Sequence, residues 1–241
     1  MKNLALAVDG DCIAYRVAAA CEEEDAQECC TAIDNMLYDA RINTNINRMR
    51  VYLGGKDNFR IKAATTKPYK GNRKDTPKPR HLAHCRRYLI TDYKAIVVNG
   101  YEADDAIATD MVVNGAWHCG VDKDLHQVAG THYNVVTKAT TVISEEEAIL
   151  TYYRQLLTGD STDNIGGLPQ IGAVKASNAI TDATTARKDT IEMYKQVCAD
   201  KLPDVVVRDY FNEQEALVKM VTTLNLWDLI THEVKQTGLN I

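Results

Sequence analysis

The chain has 241 residues, 45% of them hydrophobic and 25% charged, with a formal net charge of −5 at pH 7. That size gives one large domain, or one domain with a small appendage, and an ordinary buried core. No stretch is apolar enough to span a membrane, and no signal-peptide pattern opens MKNLALAVDG; seven irregularly spaced cysteines without a CxxC pair argue against a zinc ribbon or disulfide scaffold and for a reduced, cytoplasmic compartment.

In chain order, LALAV (4–8) is a short apolar run ending at Asp9-Gly10 and predicts a buried strand. Helices are expected over 12–20 and 27–47, and RMRVYLG (48–54) is a second strand. Residues 60–80 are polar, basic and punctuated by Pro68, Gly71, Pro77 and Pro79, which predicts a loop or short irregular helices. AIVVNG (95–100) is a third strand, and EADDAIATDMVV (102–113) a helix with acids in its first turn. WHCGVD (117–122) is a fourth strand; HYNVVT and TTVIS are short strands that could form a hairpin. EEEAILTYYRQLLTG (145–159) is a helix closed by glycine, and beyond residue 164 helices alternate with glycine turns. Strands alternating with helices predict an α/β fold: a mostly parallel central sheet flanked by helices over residues 1–145, followed by a helical subdomain over 146–241.

Charge is uneven. Between Arg60 and Lys94 there are eleven Lys and Arg against two Asp, a local charge of +9, leaving −14 on the rest. A basic region about 60–94 on an acidic body suggests one surface that meets a polyanion, the alternative being a solvated loop.

Ligands of open α/β sheets bind beyond the carboxyl ends of the strands. There the first strand ends at Asp9, the third runs into Glu102, Asp104 and Asp105, and the fourth into Asp122 and Asp124. Asp160 and Asp163 come from GDSTDNIGGLPQIGAVKA, a glycine-rich turn suited to holding a phosphate. So many carboxylates at one sheet edge would repel one another unless divalent cations lie between them. Oxygen ligands without His or Cys suit Mg²⁺ or Mn²⁺, and two such ions can activate a water and stabilise a leaving oxygen in phosphodiester hydrolysis. Each element alone has a plainer reading: Asp-Gly forms turns, acids in a first helical turn complement the dipole, DKD can be a solvated turn, and Asp160 can cap a helix.

In series, VDGD, YKGNRK, EADD, VDKDL and GDSTDNIGGLPQIGAVKA resemble the 5′ nucleases, the flap endonucleases and 5′–3′ exonucleases of bacteriophages and of bacterial DNA polymerase I. The resemblance spans about residues 4–180. It implies the PIN-like 5′-nuclease fold with a helical arch and a helix–two-turn–helix. It implies one metal group around Asp9, Glu102 and Asp104 with Asp105 close by, and a second from Asp122, Asp124, Asp160 and Asp163, filled by two Mg²⁺ for which Mn²⁺ can substitute. Lys70 and Arg73 correspond to a catalytic basic pair at the base of the arch, with Tyr69 and Lys74 beside them on the DNA path; Tyr69 would stack on a base or only pack beneath the arch. Gly166, Gly167, Gly172 and Lys175 fall in the hairpin that holds the duplex backbone, often with a K⁺. The implied substrate is DNA with a free 5′ end, a flap or a nick, extending to RNA in RNA–DNA hybrids, cut by a monomer without membrane contact during phage DNA replication.

Three departures stand out. The family acid expected at Gly55 is absent and Asp57 lies two residues late; GLPQIG carries Gln170 where the family has glycine; and the arch segment is short. Asp11 has no family role and reads as structural. Two other classes compete: a structure-specific DNA-binding protein with a weak catalytic site, and a metal-dependent phosphatase for small substrates, for which the basic segment and the hairpin would be superfluous.

Overall fold

The computed structural model describes residues 4–223, 225–229 and 231. In chain order the elements are β1 (Ala5–Asp9), α1 (Gly10–Ala20), α2 (Ala26–Thr44), β2 (Arg48–Gly54), α3 (Arg60–Ala63), α4 (Leu82–Thr91), β3 (Ile96–Val98), α5 (Ala103–Asn114), β4 (Trp117–Gly120), β5 (Gly130–Asn134), β6 (Thr140–Ile143), α6 (Glu145–Thr158), α7 (Ala173–Ala179), α8 (Ala186–Lys201) and α9 (Val207–Val218). They group into two compact units. The first takes the chain up to Asn58, Pro77–Ile143 and the chain from Met220 onward; the second takes Phe59–Thr76 and Ser144–Lys219. Each unit is therefore built from separated stretches, and the basic region 60–94 is divided between them.

The first unit holds a six-stranded sheet in the order β3-β2-β1-β4-β5-β6. All neighbours are parallel except β5 and β6, which pair antiparallel as the expected hairpin. Both faces are buried. Leu6, Val8, Val51 and Leu53 pack with Ile13, Val17, Ile33, Leu37 and Leu89 of α1, α2 and α4. Ala7 and Tyr52 face the other way, onto Ile107 and Met111 of α5 and onto Leu226. Burial on both faces is why LALAV is an unbroken apolar run instead of an alternation. On the α5 side, Arg50 donates from Nε and Nη2 to Asp110 at 2.7 and 2.6 Å, and Tyr52 Oη adds a third bond at 2.9 Å, tying β2 to the helix.

One boundary and one element show why the structure departs from the sequence expectation. Helix α2 stops at Thr44 instead of reaching residue 47, because Asn45 takes the left-handed conformation at φ 55° and closes it. Helix α4 was not expected: Cys85 and Leu89 point inward, but Arg86 and Arg87 between them give the stretch the look of a basic loop.

In the second unit, α6 to α9 surround Leu157, Leu168, Ile180, Tyr194 and Tyr210. Helix α6 starts where Ser144 Oγ accepts from Glu147 N at 3.1 Å and Glu147 Oε2 accepts from Ser144 N at 2.9 Å, a reciprocal capping box. No described helix is long and apolar enough to cross a membrane.

Candidate functional site

The order β3-β2-β1-β4 reverses direction at β1: successive strands step outward to β3, then the chain returns to place β4 on the other side of β1. The crevice beyond the carboxyl ends of β1 and β4 is thus the topological switch point, where ligands of such sheets bind. Asp9 closes β1 and is only 6% exposed; its carboxylate accepts from Cys12 N at 2.9 Å and so caps α1. Its ladder partner on β2 is Tyr52, and on the β4 side it lies close to Gly120, the last residue of that strand. A Cβ at Gly120 would lie 3.0 Å from Asp9 Cβ and 2.6 Å from His118 Nε2, so glycine is what lets the aspartate sit there. Two residues on, Asp122 accepts from Asp124 N at 2.8 Å in a tight Asx turn, which places both acids beyond β4.

Glu102 and Asp104 arrive on the turn that opens α5. Asp105 shapes that turn: it is fully buried, and its oxygens accept from Glu102 N at 3.0 Å and Val221 N at 2.9 Å. A Cβ at Gly54, the end of β2, would stand 4.0 Å from Ala103 N, so the start of α5 lies over the strand next to β1. Five expected ligands, Asp9, Glu102, Asp104, Asp122 and Asp124, therefore converge on one edge of one sheet. Among the described residues, no three acidic, histidine or cysteine side chains close on a single point at metal-holding distance. All five are hard oxygen donors, which fit Mg²⁺ or Mn²⁺ and not a soft metal.

Asp11 is structural, as expected. It pairs with Arg86 and accepts from Gly54 N at 2.6 Å, while Arg86 donates to Gly54 O at 2.6 Å. Gly55 explains the missing family acid: its N–H bonds Val98 O at 2.7 Å, and any Cβ there would run into Asn99 Oδ1 and to within 2.7 Å of Val98 O. Asp57 sits exposed at φ 61°.

In the second unit, the loop after α6 and the segment 68–73 are knitted together. Asp160 pairs with Ile165 through both backbone bonds, at 3.0 and 2.7 Å, and its side chain accepts from Thr162 N at 2.7 Å. Asp163 receives Tyr69 Oη at 2.8 Å, Lys70 Nζ at 3.5 Å and the Arg73 guanidinium. Arg73 Nε donates to Thr162 O at 3.0 Å, and Lys70 N to Asp163 O at 2.8 Å. Lys70 is held at φ 53°. The Tyr69 hydroxyl is thus engaged, and its side chain packs against the cluster of Leu156, Ile165, Leu217 and Val218. Lys74 is exposed just beyond.

The glycine turn keeps its shape despite Gln170, which adopts the left-handed φ of 63° that a glycine would supply. Lys175 Nζ donates to Gln170 O at 3.0 Å. Gly167, at φ 56°, is required internally, since a Cβ there would lie 2.7 Å from Leu157 O. Gly172 has nothing within 4 Å of a Cβ and leaves an open surface. Not all of the basic region faces outward. Arg60 is 1% exposed and donates to Leu217 O and Lys219 O at 3.0 and 2.8 Å, so the local +9 overstates the charge available to a partner.

No protein-family profile matches the chain. Solved structures do. Bacteriophage T5 5′-exonuclease with bound zinc superposes with a TM-score of 0.66 at 16% identity, covering 98% of this chain and 99% of that one. The chain has the 5′-nuclease fold. The T5 flap endonuclease in a pseudo-enzyme–product complex with DNA and metal ions gives 0.60 at 17% identity, over 98% and 93% of the two chains. The catalytic core of Rad2 in complex with DNA substrate gives 0.52 at 13%, over 99% and 74%. The 5′-nuclease fold accounts for the mostly parallel sheet and for helices on both its faces.

Two features of this version of the 5′-nuclease fold escaped sequence reading. His118 on β4 and His132 on β5 stand side by side, Nδ1 to Nδ1 at 3.1 Å. His132 Nε2 lies 3.0 Å from Val128 O, which can only accept, so that nitrogen carries the proton and Nδ1 is left to accept from His118 Nδ1–H. Burial pulls the His118 pKa down to about 3 and that of His132 to about 4, each also opposed by the neighbouring imidazoles. The other feature is Glu213, whose partners lie almost 150 residues away in sequence.

Proposed function

We propose that this chain is a divalent-metal-dependent 5′ nuclease that hydrolyses phosphodiester bonds at DNA 5′ ends, flaps or nicks. What carries the proposal is the set of five carboxylates at the switch point, on a fold shared with the T5 enzymes over nearly the whole of both chains. Asp9, Glu102 and Asp104 would hold one Mg²⁺ or Mn²⁺, and Asp105 would keep their turn in shape. Asp122 and Asp124, with Asp160 and Asp163, would supply a second. Such ions contribute an activated water and neutralise charge at the scissile phosphate.

The remaining roles belong to the chain. Lys70 and Arg73 stabilise the negative charge that grows on the phosphate. Lys74 and Lys175 meet backbone phosphates, and Gly166, Gly167 and Gly172 let the main chain approach a duplex. Tyr69 holds Asp163 in place beneath the basic pair. The T5 and Rad2 complexes with DNA support the partner class. RNA in hybrids, a K⁺ at the hairpin, a monomeric and cytoplasmic enzyme, and a part in phage replication complete the proposal.

The test is a 5′-labelled flap substrate incubated with purified protein in Mg²⁺ or Mn²⁺, with and without EDTA, and product lengths read on a gel. Metal-dependent release of the flap or of short 5′ products is expected. Tight flap binding without cleavage in either metal would overturn the nuclease assignment in favour of a structure-specific DNA-binding protein.

A further inference from the structure

Glu213, on α9, is 7% exposed and has no Lys or Arg partner among the described residues. Its carboxylate instead accepts four hydrogen bonds from two consecutive residues. Thr65 N and Thr66 N donate to Oε1 at 2.6 and 2.7 Å, Thr65 Oγ1 to Oε2 at 2.9 Å and Thr66 Oγ1 to Oε1 at 3.0 Å. A buried carboxylate without a cation is costly to keep, and four donors satisfy its lone pairs. The donors come from Thr65 and Thr66 alone, two exposed residues that belong to no buried cluster of this unit. Its surroundings suggest what the bond set is for.

Thr65 and Thr66 stand immediately before the basic segment. Downstream, Asn164 Nδ2 donates to Pro68 O at 2.8 Å, Lys70 N donates to Asp163 O, and Asn72 Nδ2 donates to Ser161 O at 2.8 Å. The stretch 65–73 is therefore pinned at its root by one carboxylate and along its length by the 160–164 loop. Without the root, Lys70 would have to keep its left-handed conformation on the strength of the loop contacts alone.

We propose that Glu213 is a positioning residue for Lys70 and Arg73: its carboxylate fixes the Thr65–Thr66 backbone and so sets where the two cations stand for an incoming phosphate. The proposal rests on the nuclease reading only for the phosphate; the pinning itself is tested without DNA. Limited trypsin digestion of the native full-length protein, with peptides identified by mass spectrometry, reads opening of the segment as cutting after Lys70, Arg73 and Lys74. Glu213→Gln can keep an oxygen against the Thr65 and Thr66 N–H groups, but it removes the negative charge and puts an NH2 where Oε2 accepts from Thr65 Oγ1; it should raise cutting at these sites by about tenfold, the equilibrium change expected from one lost charge-assisted hydrogen bond. Thr66→Val removes a single bond from an exposed side chain and should raise it less, at the same sites; it carries the test if Glu213→Gln does not fold.

On flap DNA, Glu213→Gln should lower kcat and leave KM near its wild-type value. In a Lys70→Ala/Arg73→Ala background it should cause no further loss, because the groups it places are gone. An unchanged digestion pattern in both variants, or a full multiplicative loss of kcat in the double-alanine background, overturns the proposal. If wild-type protein cuts no flap, the nuclease reading fails, and the trypsin result still decides the pinning.

Discussion

Lowering the pH from 7 to 5 should weaken the first unit through His118 and His132. Both native imidazoles have pKa values near 3 to 4, held down by burial, so both stay neutral at pH 5. In the unfolded chain each returns to about 6.5 and takes up a proton as the pH falls through that value. The folded pKa is depressed below the unfolded one, so the contribution is intact above about pH 6.5 and is lost as the pH drops toward 4. At pH 5 the unfolded state gains about 2 kcal/mol per imidazole relative to pH 7, or about 4 kcal/mol for the pair, a large share of the stability of a typical domain. The figure depends only on both native pKa values lying below 5.

Urea unfolding at pH 7, 6 and 5 measures the loss. Fluorescence reports on the right unit, because both tryptophans, Trp117 and Trp227, belong to the first. The control is His118→Asn, whose Nδ2–H can replace His118 Nδ1–H in the bond to His132. The loss between pH 7 and 5 should shrink by about 2 kcal/mol in the variant, while native carboxylates contribute equally to both proteins. A wild-type loss below about 1 kcal/mol, or a variant that loses as much as wild type, would show that the pair protonates in the native state and refute the tautomer chain drawn through Val128.

The other predictions concern the site. Asp160→Asn should reduce flap cleavage by at least about tenfold with DNA binding in Ca²⁺ retained, and full activity at low Mg²⁺ would remove it from the metal assignment. Gly167→Ala should destabilise the second unit by about 2 kcal/mol in thermal unfolding, since it adds a clash to a left-handed φ, whereas Gly172→Val should leave stability unchanged and weaken duplex binding more than single-strand binding. Equal losses on both DNAs in fluorescence anisotropy would reduce Gly172 to a fold element. Asp57→Ala should cost only about 1 kcal/mol, from a side chain less suited to positive φ, with the Mg²⁺ titration of cleavage unmoved; a rightward shift of tenfold or more would make Asp57 the replacement for the acid missing at Gly55.

What sequence showed and what it hid divide along a physical line. RMRVYLG is β2 to the residue: Val51, Tyr52 and Leu53 form a short apolar run buried on both faces of the sheet, and Gly54 closes it. The acids at strand ends were legible because the parallel topology dictates which end they reach. Features that depend on distant pairing were not. Nothing local in Glu213 signals Thr65, and nothing in Asn99 signals that its amide oxygen fills the space a side chain at Gly55 would need. Gln170 could be noticed as a departure, but only the backbone shows that it accepts the glycine conformation. Arg60 and Arg86 counted as surface charge until their partners, two carbonyls and Asp11, came into view.

The return of the chain to the first unit at Met220 sets an order of assembly. Asp105, which shapes the turn carrying Glu102 and Asp104, accepts from Val221 N, and Thr109 Oγ1 donates to Val221 O at 3.0 Å. On a ribosome, that turn therefore lacks its Val221 contact until the helices α6 to α9 have been translated. A product truncated before residue 220 would hold the whole acidic edge in sequence yet lack the Val221 strap that fixes it.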